Sequence, residues 1–284
     1  MIYVIFALNF GLMITIPLLV GRWLAQKWQI SWTLFGMGAV TFIVSQIGHI
    51  PFNWLILQRW QLVPTDTAVL SNLIILALFL GLSAGVFEEV ARYLTFRYWA
   101  KNARSWGTGL MVGTGHGGIE AILVALLGAL GVGQLALIER GWFAAAIPTE
   151  QWPMLQAIIA ETFSAPWYLV LLGAAERLFA ICAHLAMSLL VMQVFVQGQK
   201  RWLLAAILWH TLLNFTAVFA VTTWNPYITE GLIGILALLS VGIIFWLRAP
   251  EPVAPELEPL PELAPLERVQ VEQTAEILER SKYS

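Results

Sequence analysis

Charge is what this sequence has least of. Only 11% of its 284 residues are Asp, Glu, Lys or Arg, where a soluble domain carries roughly 25%. With 59% hydrophobic residues and a mean hydropathy of +0.77, a water-soluble globule is excluded and the bilayer is the solvent. The net charge is only −2, so there is no basic excess for nucleic acid, and none is expected as a partner. Cysteine is almost missing too. Cys182 stands alone, which excludes an intrachain disulfide and a paired-cysteine metal site. The N-terminal run MIYVIFALNFG has neither a basic n-region nor a small-residue cleavage site, and reads as a retained first span.

What the chain has instead is long apolar runs. Seven stretches come near the ~20 residues that a bilayer-spanning helix needs: about 2–21, 33–57, 70–98, 106–136, 174–197, 202–222 and 227–247. The stretch 139–170, with Glu139, Arg140, Glu150, Glu161 and three prolines, reads as interfacial, with Trp142, Trp152 and Trp167 at headgroup level. Arg22, Lys27, Arg97, Lys101, Arg104, Lys200, Arg201 and Arg248 fall at alternate loops. The positive-inside rule then places the N-terminus outside and the C-terminus in the cytoplasm. The expected fold is all-α and polytopic, with a transmembrane domain over 1–248. The tail 249–284 is Pro- and Glu-rich and reads as largely disordered, with a short amphipathic helix over 266–281.

Ionisable residues recur inside these spans: Glu88, Glu89 and Arg92 in the third, His116 and Glu120 in the fourth, Glu176, Arg177 and His184 in the fifth, His210 with Asn214 in the sixth. Each such residue costs at least ~2.5–3.5 kcal/mol on insertion scales and usually faces a cavity or a partner. Counted from the expected cytoplasmic ends at 1.5 Å per residue, Glu88, His116, His184 and His210 lie roughly 12–20 Å deep. Three histidines and a carboxylate pair from four helices thus share one layer, which spans 3 and 4 and spans 5 and 6, as two hairpins, can enclose. His49 and Asn53 lie in the second span; His49, on a less polar helix, reads as a packing residue.

The residue types suggest metal-assisted hydrolysis. Neutral imidazoles suit zinc, and a catalytic zinc site takes about three protein ligands and a water. His116, His184 and His210 are the candidate ligands. Glu88 or Glu89 is the candidate base, and Asn214 a donor to a developing oxyanion. Arg92 projects between the two carboxylates, at about 40° from Glu88 and 60° from Glu89 on an ideal helix, and can neutralise one of them. On angle alone Glu89 is the freer. Glu120 and Glu176 are additional candidates. Gly113, Gly115, Gly117 and Gly118 either admit a close-lying backbone, such as a substrate's, or serve helix packing.

In order along the chain, FEEVAR, GHGGIE, ERLFAICAH and HTLLN resemble the YhfC-type intramembrane metalloprotease family, related to the CPBP superfamily of CAAX-processing and bacteriocin-processing endopeptidases. The resemblance covers about residues 1–248. It implies that Glu88 and Glu89 match the superfamily's carboxylate pair, His116 its second motif, and His210 with Asn214 its last. The arginine arrives one residue early, as EEVAR where the superfamily has EExxxR. Glu120 and His184 belong to the YhfC-like pattern. The first glutamate of the motif is the usual base, which ranks Glu88 ahead of Glu89. A glutamate–histidine dyad without tightly bound metal is the alternative within the same resemblance. The function expected is therefore hydrolysis of a membrane protein or peptide substrate, with zinc as cofactor, in a bacterial plasma membrane. Rivals are a proton-coupled transporter, against which the lack of an internal repeat argues, and a non-enzymatic binding or immunity protein.

Overall fold

The computed structural model describes residues 1–249 and Glu279, with Ala144 known by its backbone only. The regular elements among the described residues are all helices: α1 Ile2–Trp28, α2 Trp32–Trp54, α3 Leu70–Leu94, α4 Trp106–Glu139, α5 Trp152–Ser164, α6 Trp167–Val196, α7 Arg201–Thr223 and α8 Pro226–Trp246. All except the 13-residue α5 are long and apolar enough to cross a membrane, seven in number. The expectations for the tail, disorder and a helix over 266–281, fall outside the described residues apart from Ala249 and Glu279.

Helix ends follow local chemistry. Ser105 opens α4 with a capping box: its hydroxyl accepts from Thr108 N at 3.3 Å while Thr108 Oγ1 accepts from Ser105 N at 3.1 Å. Asn225 caps α8, accepting from Ile228 N at 3.1 Å, with Pro226 at the first helical position. α3 runs into a π-helical turn, Thr95–Trp99, and Arg104 folds back over it, donating to the carbonyls of Phe96, Ala100 and Ala103 at 2.8–3.1 Å. α6 starts at Trp167, seven residues before the expected 174. Pro166 accounts for the difference: its backbone is extended and it directly precedes the first helical residue. The stretch 139–170 is otherwise α5 with two short 3₁₀ turns.

Packing does not follow chain order. α3 packs mainly on α7 and α2, whereas α4 packs on α2, α1 and α6; the two are consecutive but are not each other's main partners. α6 is the most enclosed span, touching α1, α3, α4, α7 and α8. Close approach of α2 and α4 depends on glycine. A Cβ on Gly115 would collide with the Phe35 carbonyl, and one on Gly38 with that of Val112. The tightest apolar core joins Phe96, Met111, Val112, Leu189 and Met192. It lies toward the C-terminal ends of α3 and α6 and the start of α4, and closes that side of the layer holding Glu88 and His116.

Candidate functional site

α3 delivers three charged side chains within one turn, and all are buried. Arg92 forms an ion pair with Glu89, both fully inaccessible. Its second terminal nitrogen donates to His184 Nδ1 at 3.2 Å. Glu89 Oε1 accepts from His210 Nδ1 at 2.8 Å. Arg92 thus belongs to Glu89, although ideal helical angles put it slightly nearer Glu88. Tertiary partners outweigh a 20° difference: His184 bonds Arg92 and His210 bonds Glu89, while Glu88 is drawn to α4 and α2. Its Oε2 is 3.0 Å from His116 Nε2, and its Oε1 accepts from Gln46 Nε2 at 3.1 Å.

The three histidines, from α4, α6 and α7, converge. Ring centroids are 5.1 Å apart for His116 and His184, and 5.7 Å for His184 and His210. Because Arg92 can only donate, His184 Nδ1 accepts, and its Nε2–H faces Glu120 Oε2 at 2.6 Å. Glu120 is held in turn by Arg177, which donates to its Oε1 at 2.8 Å and also pairs with Glu176. A carboxylate behind a histidine is the pattern that orients metal-binding imidazoles. It occurs twice, as Glu120–His184 and Glu89–His210. His210 Nε2 is then left toward Glu88 Oε2, at 3.9 Å.

A cavity of about 100 Å³ lies against this cluster, room for several waters. Glu88, His184, His210, Glu120, Glu176, Arg177 and Asn214 line it, while Glu89 and Arg92 do not. It extends from Glu88 away from the apolar core, toward Ala217 on α7 and Ile233 on α8. Asn214 reaches the cavity and makes no side-chain hydrogen bond to other described residues, so its amide is available to a ligand. The glycines of α4 do not open onto the cavity. A Cβ at Gly113 would sit 2.9 Å from the His184 carbonyl, at Gly117 2.8 Å from His184 Cδ2, and at Gly118 2.8 Å from Pro17 Cβ. Of the two readings of these glycines, helix packing is the one observed.

The site includes two residues to which the sequence reading assigned no role in it. Arg177 stands in the sequence only as one of the ionisable residues within the fifth span, where a polar partner is expected. Gln46 carried no signal except its place three residues before His49, on the same helical face.

Among the described residues, Glu88, His116 and His184 form the group that could hold a metal ion: one donor atom from each lies within 4.8 Å of the others. Two imidazoles and a carboxylate are donors known for catalytic zinc, and Nδ1 of His116 is buried without a partner. The residues therefore fit a metal. His184 is engaged at both ring nitrogens, so binding there exchanges one hydrogen bond for the ion.

Fold and site together define an integral membrane protein with a buried carboxylate–histidine centre among its spans. Residues 12–237, which include every residue of that centre, match the family model described as YhfC intramembrane metalloprotease, and the chain belongs to that family. It is 29% identical over 250 residues to a Bacillus subtilis (strain 168) protein described as "Uncharacterized membrane protein YhfC", an alignment covering 86% of this chain and 94% of that protein. No solved structure matches significantly.

Proposed function

We propose that this protein hydrolyses peptide bonds of a membrane protein or peptide within or beside the bilayer, using water held in the Glu88 cavity. One observation carries the reading. Of two adjacent carboxylates, one is locked to an arginine and the other lies on a cavity wall beside three histidines. His116 and His184 would hold a zinc ion, with His210 completing the set from α7. Zinc bound there would polarise the scissile carbonyl and acidify a water. Glu88 takes the proton as the water oxygen attacks the carbonyl carbon, and returns it to the amine nitrogen as the C–N bond breaks. Asn214 donates to the oxyanion. Glu89 and Glu120 hold the imidazoles in orientation. The superfamily relation to CAAX-processing enzymes is part of this proposal and agrees with Glu88 as base. So is the topology, N-terminus outside and C-terminus in the cytoplasm of a bacterial plasma membrane, which rests on the loop distribution of Lys and Arg.

Zinc analysis of detergent-purified protein tests the reading. About one zinc per chain is expected, removable by chelation and lost in His116→Ala, His184→Ala and His210→Ala variants that still fold. If wild type takes up only negligible zinc after loading, the metal assignment is wrong. The 3.0 Å contact between His116 and Glu88 then favours the metal-free dyad.

A further inference from the structure

A second polar chain leads into the site along α2. Gln46, His49 and Asn53 stand at i, i+3 and i+7, on one face of the helix. Gln46 Nε2 donates to Glu88 Oε1 at 3.1 Å. His49 Nδ1 lies 3.2 Å from Gln46 Oε1. An amide oxygen only accepts, so Nδ1 carries a proton, and in the neutral ring Nε2 is the acceptor. Asn53 Nδ2 donates to that nitrogen at 2.9 Å, and Ser83 Oγ lies 3.1 Å from it. The His49 ring stacks on Phe87, the residue beside Glu88, with centroids 5.5 Å apart. Donors and acceptors run in one direction from Asn53 to Glu88. Gln46 and His49 are both only half-buried, yet each polar atom of their side chains is used.

We propose that Gln46 and His49 are positioning residues for Glu88. Gln46 fixes the carboxylate by donating to Oε1, which keeps Oε2 toward His116. His49 fixes the sense of the Gln46 amide, so that the NH₂ group and not the oxygen faces Glu88. Reversed, the amide would set an acceptor against a carboxylate and lose both hydrogen bonds. His49 therefore acts on the site without touching it. The proposal rests on the reading of Glu88 as the working carboxylate, but the hydrogen-bond logic does not need the metal.

The test uses the full chain in detergent micelles with two readouts. The infrared difference between wild type and Glu88→Gln identifies the Glu88 carboxyl band, and a Zn²⁺ competition titration reports affinity. Gln46→Leu and His49→Leu are each expected to shift that band while zinc affinity stays near wild type, because the hydrogen bond lost supports the base and not a zinc-holding histidine. The double variant is expected to be no worse than Gln46→Leu alone, because His49 works only through Gln46. His49→Asn, whose NH₂ can replace the Nδ1–H, is expected to restore the band. A Glu88 band unmoved in His49→Leu, or full additivity in the double variant, overturns the proposal. Should Gln46→Leu fail to fold, the band in the His49 pair decides alone. Should wild type bind no zinc, the metal reading fails while the band still tests the positioning.

Discussion

Glu88 and Glu89 are chemically identical neighbours whose surroundings give them different work. Glu89 balances a buried guanidinium and orients His210, whereas Glu88 faces the cavity. Replacing either by Gln keeps size and removes the charge. Glu88→Gln is expected to lower peptide cleavage by about 10²–10⁴-fold, the usual worth of a general base, while zinc content and melting temperature stay near wild type. Glu89→Gln leaves Arg92 buried without its counter-charge and is expected to cost about 3–5 kcal/mol of stability, seen as a lower melting temperature. Both variants should be measured side by side for melting temperature, zinc and cleavage of transmembrane peptides. Loss of zinc in Glu88→Gln as complete as in His116→Ala would make Glu88 a ligand and not the base. Wild-type cleavage in both would remove the carboxylates from the chemistry.

At the scale of the element, α4 is the helix on which the site depends most closely. Its glycines let α2 and α6 approach until backbone and imidazole touch it. An extra methyl group therefore has consequences that depend on what it meets. At Gly117 it meets the His184 ring and its Cβ, which is fixed to the α6 backbone, so Gly117→Ala is expected to push that part of α6 away, weakening zinc binding at least tenfold and lowering the melting temperature. At Gly115 it meets the Phe35 backbone, which cannot yield without moving α2, and Gly115→Ala is expected to lose about 1–3 kcal/mol. Gly131, on the same helix with nothing within 4 Å, is the control. Gly131→Ala should be neutral or stabilising by up to ~1 kcal/mol through helix propensity. Thermal melts and zinc titrations of the three separate packing from site effects. Equal behaviour of all three would show that the close approaches are not limiting.

For the whole molecule, the spans supply everything the proposed chemistry uses. The apolar core closes one side of the site layer, the cavity extends toward the other as far as Ile233 on α8, and among the described residues none with a role in the proposed chemistry lies beyond Asn214. Truncation after Arg248 is accordingly expected to leave zinc content and melting temperature at wild-type values, measured on purified protein. A well-expressed truncation that lost zinc would bring residues 249–284 into the mechanism.

How much of this was legible beforehand follows from the range of each interaction. Hydropathy is a sum over neighbours in sequence, so seven spans could be read directly, and the helix positions agree to within a few residues except that α1 runs on to Trp28, past the expected 21, and α6 starts early after Pro166. The cost of inserting charge made Glu88, Glu89, Arg92, His116, His184 and His210 conspicuous, and common depth placed four of them in one layer. That the histidines and both carboxylates meet was therefore anticipated from residue type and register. Which carboxylate takes Arg92 was not, because two side chains three and four residues away are nearly equivalent on an isolated helix. His210 and His184 break the tie from other helices. Helix packing for the α4 glycines, the separation of α3 from α4, and the place of Gln46 beside Glu88 were likewise decided between elements. A glutamine on a lipid-spanning helix has no distinguishing pattern of its own; only the carboxylate on the facing helix, 3.1 Å away, gives it a role.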